Sequence, residues 1–284
     1  GKGRVLTSFQ LNPTQSILYR ALPSEAGSMP VKRLPKREAE RSFRTGPTTV
    51  TPASLNVLVL DYCDVKYFGK QEEGINTWQA NWNTWQAQGF ERPAWDSAVQ
   101  FRKRILERNQ FSAGTGFEAT FHFEVGKGVD LSLLELAVEC PELYRIFVNS
   151  KKVDFGRAKR WIDPHLQSVS IARMVHTGEN EVRVIGRPFD VRMEQENVYI
   201  RGNFSLEATR AGFRIVPGHQ LQVKPWSRQG YPFYSELMHY DTTVDIPRTS
   251  KRVILQLPSW KGGSATIGVD GKRVGFIAWM PFEL

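Results

Sequence analysis

The residues best equipped for chemistry in this chain are Asp61-Tyr62-Cys63-Asp64, which close the apolar run Leu55–Val65, LNVLVLDYCDV. Two carboxyls facing each other across a sugar ring are what glycoside hydrolysis needs. The spacing works against that use. Residues three apart on a strand point to opposite faces, so Asp61 and Asp64 do not form a facing pair. Neither Tyr62 nor Cys63 has a histidine nearby in sequence to take its proton. The stretch reads as a buried strand whose last residues satisfy loop backbone.

Other constellations are weaker. His122-Phe123-Glu124 resembles half of a zinc-deaminase signature, but the required Pro-Cys-x-x-Cys half is missing and only Glu139-Cys140-Pro141 occurs. His165, His176, His219 and His239 show no metal-ligand spacing. There is no phosphate loop, dinucleotide fingerprint or Gly-x-Ser-x-Gly elbow, so no cofactor is expected. The two cysteines, Cys63 and Cys140, are too few for a disulfide scaffold or a four-thiolate zinc site; they read as two buried thiols, with one disulfide between them as the alternative. Asn203-Phe204-Ser205 is a formal glycosylation sequon that reads as strand.

Aromatic residues offer a different chemistry, stacking on the apolar face of a sugar. Trp78, Trp82 and Trp85 are spaced four and three, which places them on one face of a short helix ended by Gly89; such a stripe is read first as core. The stretch Lys224–Glu236, KPWSRQGYPFYSE, is the better binding candidate. Gly230 and Pro232 break regular structure and favour a loop. The expected sugar-binding set is Trp226, Arg228, Tyr231 and Tyr234, with Phe233 and Gln229 beside them. The alternative is that these rings plug a sandwich.

The elements that must position these residues are almost all strands. FEATFHFEV, from Phe117 to Val125, alternates apolar and polar residues and reads as a half-buried strand. About ten more short strand-like runs follow, most of them separated by Gly, Pro, Asn or Asp. They include VSIARMV, VYIRGNFSLEA and RVILQLP. A second helix is expected from Pro93 to Arg108. The fold class is therefore all-β: tandem sandwiches or jelly rolls with a short helical insertion at about 73–108. The expected division is residues 1–22 as the end of a preceding β domain, 23–54 as a linker, 55–190 as one sandwich and 191–284 as a second. Val148-Asn149-Ser150-Lys151 and Val269-Asp270-Gly271-Lys272 carry hairpin-turn chemistry in two loosely repeated units. The second unit stops earlier than the first, so the last sandwich is expected to be incomplete, with an open edge.

Composition sets the outer limits. At 284 residues, 40% hydrophobic and 24% charged, the chain has the make-up of a globular protein with a sizeable core. No apolar run is long enough to span a bilayer, and no signal peptide is visible at the N-terminus. The net charge of +9 raises the question of nucleic acid. Much of the excess lies in Val31–Arg44, where Glu38 and Glu40 are interspersed, and the rest is scattered. With no aromatic-basic motif or recognition helix, neither nucleic acid nor membrane is an expected partner.

Taken together, LNVLVLDYCDV, the tryptophan insertion ending in WDSAVQFRKRILERNQF, FEATFHFEV, ENVYIRGNFSL and GYPFYSELMHY resemble the C-terminal region of large bacterial glycoside hydrolases of the α-L-rhamnosidase-like type. The resemblance covers roughly residues 50–284. It implies β-sandwiches of the galactose-binding-like kind that follow a catalytic barrel. It also implies an extracellular or periplasmic setting, and as partners a carbohydrate and the catalytic domain of the same polypeptide or assembly. The catalytic carboxylates of that family belong to the barrel, and no position here matches them. The expected role is a non-catalytic accessory portion that supports the barrel and binds sugar weakly. The open alternatives are a scaffold without ligand and one part of an active site completed elsewhere.

Overall fold

The computed structural model describes residues 42–43, 45–91, 93, 111–248, 250, 253–280 and 282–284. The two strands expected before residue 23, most of the expected linker and the helix expected from Pro93 lie outside the described residues. The chain divides into two compact units, Gly46–Thr243 and a smaller one made of Gly1–Thr45 with Val244–Leu284.

The larger unit begins with β1 (Thr49–Pro52), β2 (Asn56–Leu60), β3 (Tyr62–Tyr67), β4 (Lys70–Asn76) and the helix α1 (Thr77–Ala87). It continues through β5 (Phe117–Val125), β6 (Glu135–Glu139), β7 (Arg145–Val148), β8 (Lys151–Lys152), β9 (Lys159–Arg160) and β10 (Leu166–Ser170). It ends with β11 (Gly178–Gly186), β12 (Val198–Gly202), β13 (Phe204–Thr209), β14 (Gly212–Pro217) and β15 (Met238–Asp241). One sheet of five strands has the order β2-β12-β6-β10-β9. The other has eight, ordered β13-β14-β5-β11-β7-β8, with β3 and β4 added beside β5. All pairings are antiparallel except that of β14 with β5.

The alternation along β5 is the frame of the core. Phe117, Ala119, Phe121, Phe123 and Val125 are all buried, and they meet Leu136, Val138, Val198 and Ile200 from the five-stranded sheet. Burying side chains of this size contributes about 1.5–3 kcal/mol each, which outweighs the modest strand propensities of the short segments. The outer face of the five-stranded sheet is covered in part by Trp161. Its ring lies 4.5 Å from the Arg201 guanidinium, which is itself 2.8 Å from Glu135.

Two runs that read as single strands each cross from one sheet to the other. LNVLVLDYCDV is not one strand: β2 lies in the five-stranded sheet and β3 in the eight-stranded one, with Asp61 as the corner. VYIRGNFSLEA is likewise split at Asn203, which is exposed between β12 and β13. Gly202 makes the second crossing sterically feasible, because a Cβ there would lie 2.6 Å from Leu134 Cδ2 and 2.7 Å from Phe204 Cδ1.

Four expectations are corrected by the topology. The sandwich does not end at residue 190, because β12 pairs with both β2 and β6 and β14 pairs with β5. Residues 198–217 therefore complete the first sandwich rather than begin another. Residues 49–52 of the expected linker form β1, which pairs with β15 and buries Val50. VSIARMV leaves its strand after Ser170. Ile171 and Val175 then share a tight turn, with the Val175 N–H reaching Ile171 O at 3.3 Å, and both side chains are buried. Among the described residues of RVILQLP, the only β pairing is an isolated bridge from Gln256 to Glu283.

Both expected hairpin turns are present. Asn149 and Ser150 have φ of 47° and 67°, and Asp270 and Gly271 have 50° and 75°, the left-handed pairs that a two-residue turn requires. The second turn joins β16 (Ala265–Val269) to β17 (Lys272–Ile277) in the smaller unit. Among the described residues this unit shows one two-stranded sheet. No helix among the described residues is long and apolar enough to cross a membrane.

Candidate functional site: a polar cleft at the start of the helix

A cleft of about 360 Å³ opens where α1 begins. One wall is the corner and first turns of the helix: Asp61, Asn76, Thr77, Trp78 and Asn81. The other is the segment Glu194–Asn197 that leads into β12.

The helix start is fixed by its own sequence. Asn76 is the cap, and its Oδ1 accepts the Trp78 N–H at 3.0 Å. The Thr77 N–H and Asn76 Nδ2 both donate to Asp61 O, at 2.9 and 3.1 Å, which ties the helix to the sheet-crossing corner. Thr77, Ala80, Asn81, Thr84 and Trp85 recur at helical spacing and form the buried face. That face is rotated from the expected tryptophan stripe. Trp85 is fully buried, edge-on to Phe90 and Phe189 at 5.0 and 5.1 Å. Trp78, seven residues earlier on the same edge of the helix, is 55% exposed and rests against Trp82 at 5.7 Å.

The second wall is stitched to the first by polar contacts. Thr77 Oγ1 donates to Asn197 Oδ1 at 2.7 Å. The Gln195 N–H donates to Asn81 Oδ1 at 3.1 Å, and Gln195 Nε2 donates to Ala80 O and Thr84 Oγ1 at 3.1 and 2.5 Å. The Tyr144 hydroxyl donates to Glu194 O at 2.8 Å and accepts the Glu194 N–H at 2.9 Å. Gln195 is buried, and its Oε1 has no hydrogen-bond partner. An amide oxygen left in that state normally costs about 1–3 kcal/mol.

The described lining of the cleft is acidic. Asp61, Glu194 and Glu196 line it, with no Lys, Arg or His among the described lining residues. Glu196 reaches solvent, yet the protein walls around it desolvate its charge and raise its pKa, with the Glu139 carboxylate adding to the rise. The Tyr199 phenol is raised by burial first, then by Glu196 and Glu139. Among the described residues no cluster of three or more His, Cys, Asp or Glu could hold a metal ion.

The residues expected from sequence are arranged otherwise. Tyr231 and Tyr234 are buried, edge-on at 5.7 Å, in a small cluster with Val50 and Leu221. Trp226 is half-buried against that cluster, 6.5 Å from Tyr234 and edge-on to it. Gln229 spends both ends of its amide on Gln222 and on Lys224 O. Only Arg228 of the expected sugar-binding set is exposed. The two tyrosine faces that stacking would need are covered, because β1 and β15 close over them. The opening motif is also divided. Asp61 lines the cleft, whereas Asp64 accepts the Gly74 N–H at 2.8 Å and lies 2.9 Å from His122 Nε2. Cys63 is buried and its thiol is pushed up to about 12, by burial and then by Asp64, so it is inert at neutral pH. Cys140 is half-buried rather than buried, its thiol raised to about 11 by burial and surrounding carboxylates, and both cysteines are free.

Sequence reasoning missed Glu194–Asn197. The available signal was a run of four polar residues, EQEN, held between the apolar Met193 and Val198. No protein-family model and no curated protein matches this chain.

Proposed function

We propose that the chain is a non-catalytic β-sandwich portion of a carbohydrate-active protein, of the glycoside hydrolase kind that its motifs resemble, and that it binds saccharide weakly in the cleft at the start of α1. One observation carries the reading: an indole 55% exposed on the rim of an open cleft whose other walls are carboxylates and amides. A sugar ring needs that combination, an apolar plate for its C–H face and a ring of acceptors and donors for its hydroxyls. The volume is near the lower end of the roughly 300–1,000 Å³ of small-molecule sites. Each hydroxyl hydrogen bond contributes about 1 kcal/mol net, so an open site of this size binds in the high micromolar to millimolar range, about −4 to −6 kcal/mol.

The test is calorimetric titration of the chain with rhamnose-, galactose- and glucose-containing oligosaccharides, repeated with Trp78→Ala. Binding that weakens about tenfold or more in the variant, roughly 1.4 kcal/mol, supports the reading. Silence of the unmodified chain at tens of millimolar ligand leaves a scaffold role. The buried Tyr231 and Tyr234, which brace the sandwich rather than present their faces, favour that second reading.

A further inference from the structure

We infer that the cleft sorts saccharides by charge: it takes sugars bearing an amino group ahead of neutral ones, and refuses those bearing a carboxylate. This rests on the sugar-binding reading above and adds the chemical class of the ligand.

The chain as a whole points the other way. At +9 its average surface attracts acidic saccharides. The cleft inverts that sign locally. Asp61 and Glu196 stand on its two walls, and neither forms an ion pair with any described residue. Glu139 lies close enough to Glu196 to hinder its ionisation. A carboxylate on a ligand would add a further negative charge to a site that already resists carrying its own. An ammonium would relieve the same repulsion.

One feature of the cleft favours anions, the N-terminus of the eleven-residue helix α1. A helix end carries about half a unit of positive charge. Here two of the N–H groups that would present it are already occupied, Thr77 by Asp61 O and Trp78 by Asn76 Oδ1. Two full carboxylates outweigh what is left.

The experiment uses the full chain and matched sugars: amino sugar, neutral sugar and uronate in both the gluco and galacto series. Titrations are run by calorimetry at low salt near pH 6, where the amines are protonated and uronates ionised. The expected order is amino above neutral above acid, with roughly tenfold between steps, about 1.4 kcal/mol. Raising the ionic strength to about 0.5 M, where the Debye length is only a few ångström, should compress the series. The double variant Asp61→Asn with Glu196→Gln should narrow the ratio between neutral sugar and uronate by about fivefold or more. A uronate that binds as well as its neutral counterpart overturns the charge rule and leaves the sugar-binding reading intact. An amino sugar no better than the neutral one does the same. Silence from every sugar overturns both.

Discussion

The start of α1 and the segment Trp226–Tyr234 have nearly the same ingredients: tryptophan or tyrosine rings, amide side chains and a break in regular structure. They differ in what lies over the rings. At Trp226–Tyr234 the strands β1 and β15 close over the tyrosines, the Tyr234 hydroxyl bonds Leu237 O at 2.6 Å, and Gln229 holds the loop backbone. At the helix start the amides tie the two walls of the cleft to each other, and Trp78 is left on the rim. The same residue types therefore make a small core in one place and a cleft in the other. Ring content alone does not mark a binding site; the deciding quantity is what lies over the rings.

The largest test of this contrast lies within α1. Trp85→Ala should destabilise the protein by about 3–5 kcal/mol, because it empties a site packed by Phe90 and Phe189. Trp78→Ala should change stability by less than about 0.5 kcal/mol, since its ring lies mostly in solvent. Urea denaturation of both variants measures the difference. If the two losses were equal, the division of the tryptophan stripe into core and rim would be wrong.

A smaller effect separates the second region from the first. Tyr234→Phe removes a hydroxyl that donates to Leu237 O at 2.6 Å and accepts from the Ser54 N–H at 3.3 Å. It should cost about 1 kcal/mol of stability, more if the stranded acceptor stays buried. Saccharide titrations should be unaffected by it. A sugar response that disappears with this hydroxyl while the fold survives would return the binding site to the Trp226–Tyr234 loop.

What could be read in the sequence follows from how local the signal is. The β5 alternation is visible because period two over nine residues is written in consecutive positions. The turns at Asn149-Ser150 and Asp270-Gly271 are visible because their left-handed backbone demands particular residues. The corner at Asp61 is not, since the apolar pattern continues on both sides of it while the chain changes sheets. The end of the sandwich beyond residue 190 is not, since β12 and β14 reach partners more than eighty residues away, and no local pattern records such pairing. The cleft was half legible. Asp61 drew notice for its chemistry and Trp78 for its spacing, but Glu194–Asn197 has neither periodicity nor motif, and only the fold sets it against the helix.

The smallest expected effect concerns Glu196 and checks whether the cleft is electrostatically loaded before any ligand arrives. Its folded pKa is raised by the desolvating walls and then by Glu139. An unfolded glutamate titrates at about 4.3. Below that value the side chain is protonated in both states and carries no penalty. As pH rises through the higher folded value, the carboxylate ionises less readily in the fold than in the open chain, so this contribution to stability is lost. Glu196→Gln cannot ionise and does not incur that loss. The variant should match the parent near pH 4 and exceed it at pH 7. Because Glu196 reaches solvent, screening keeps the gain small, under about 0.5 kcal/mol. Paired thermal melts across the interval from pH 4 to 7 resolve a difference that grows with pH even when its absolute size is slight. A variant less stable than the parent at pH 7 would mean that the Glu196 carboxylate is held by a favourable partner, and the cleft would then be a satisfied polar seam rather than a site prepared for a cation.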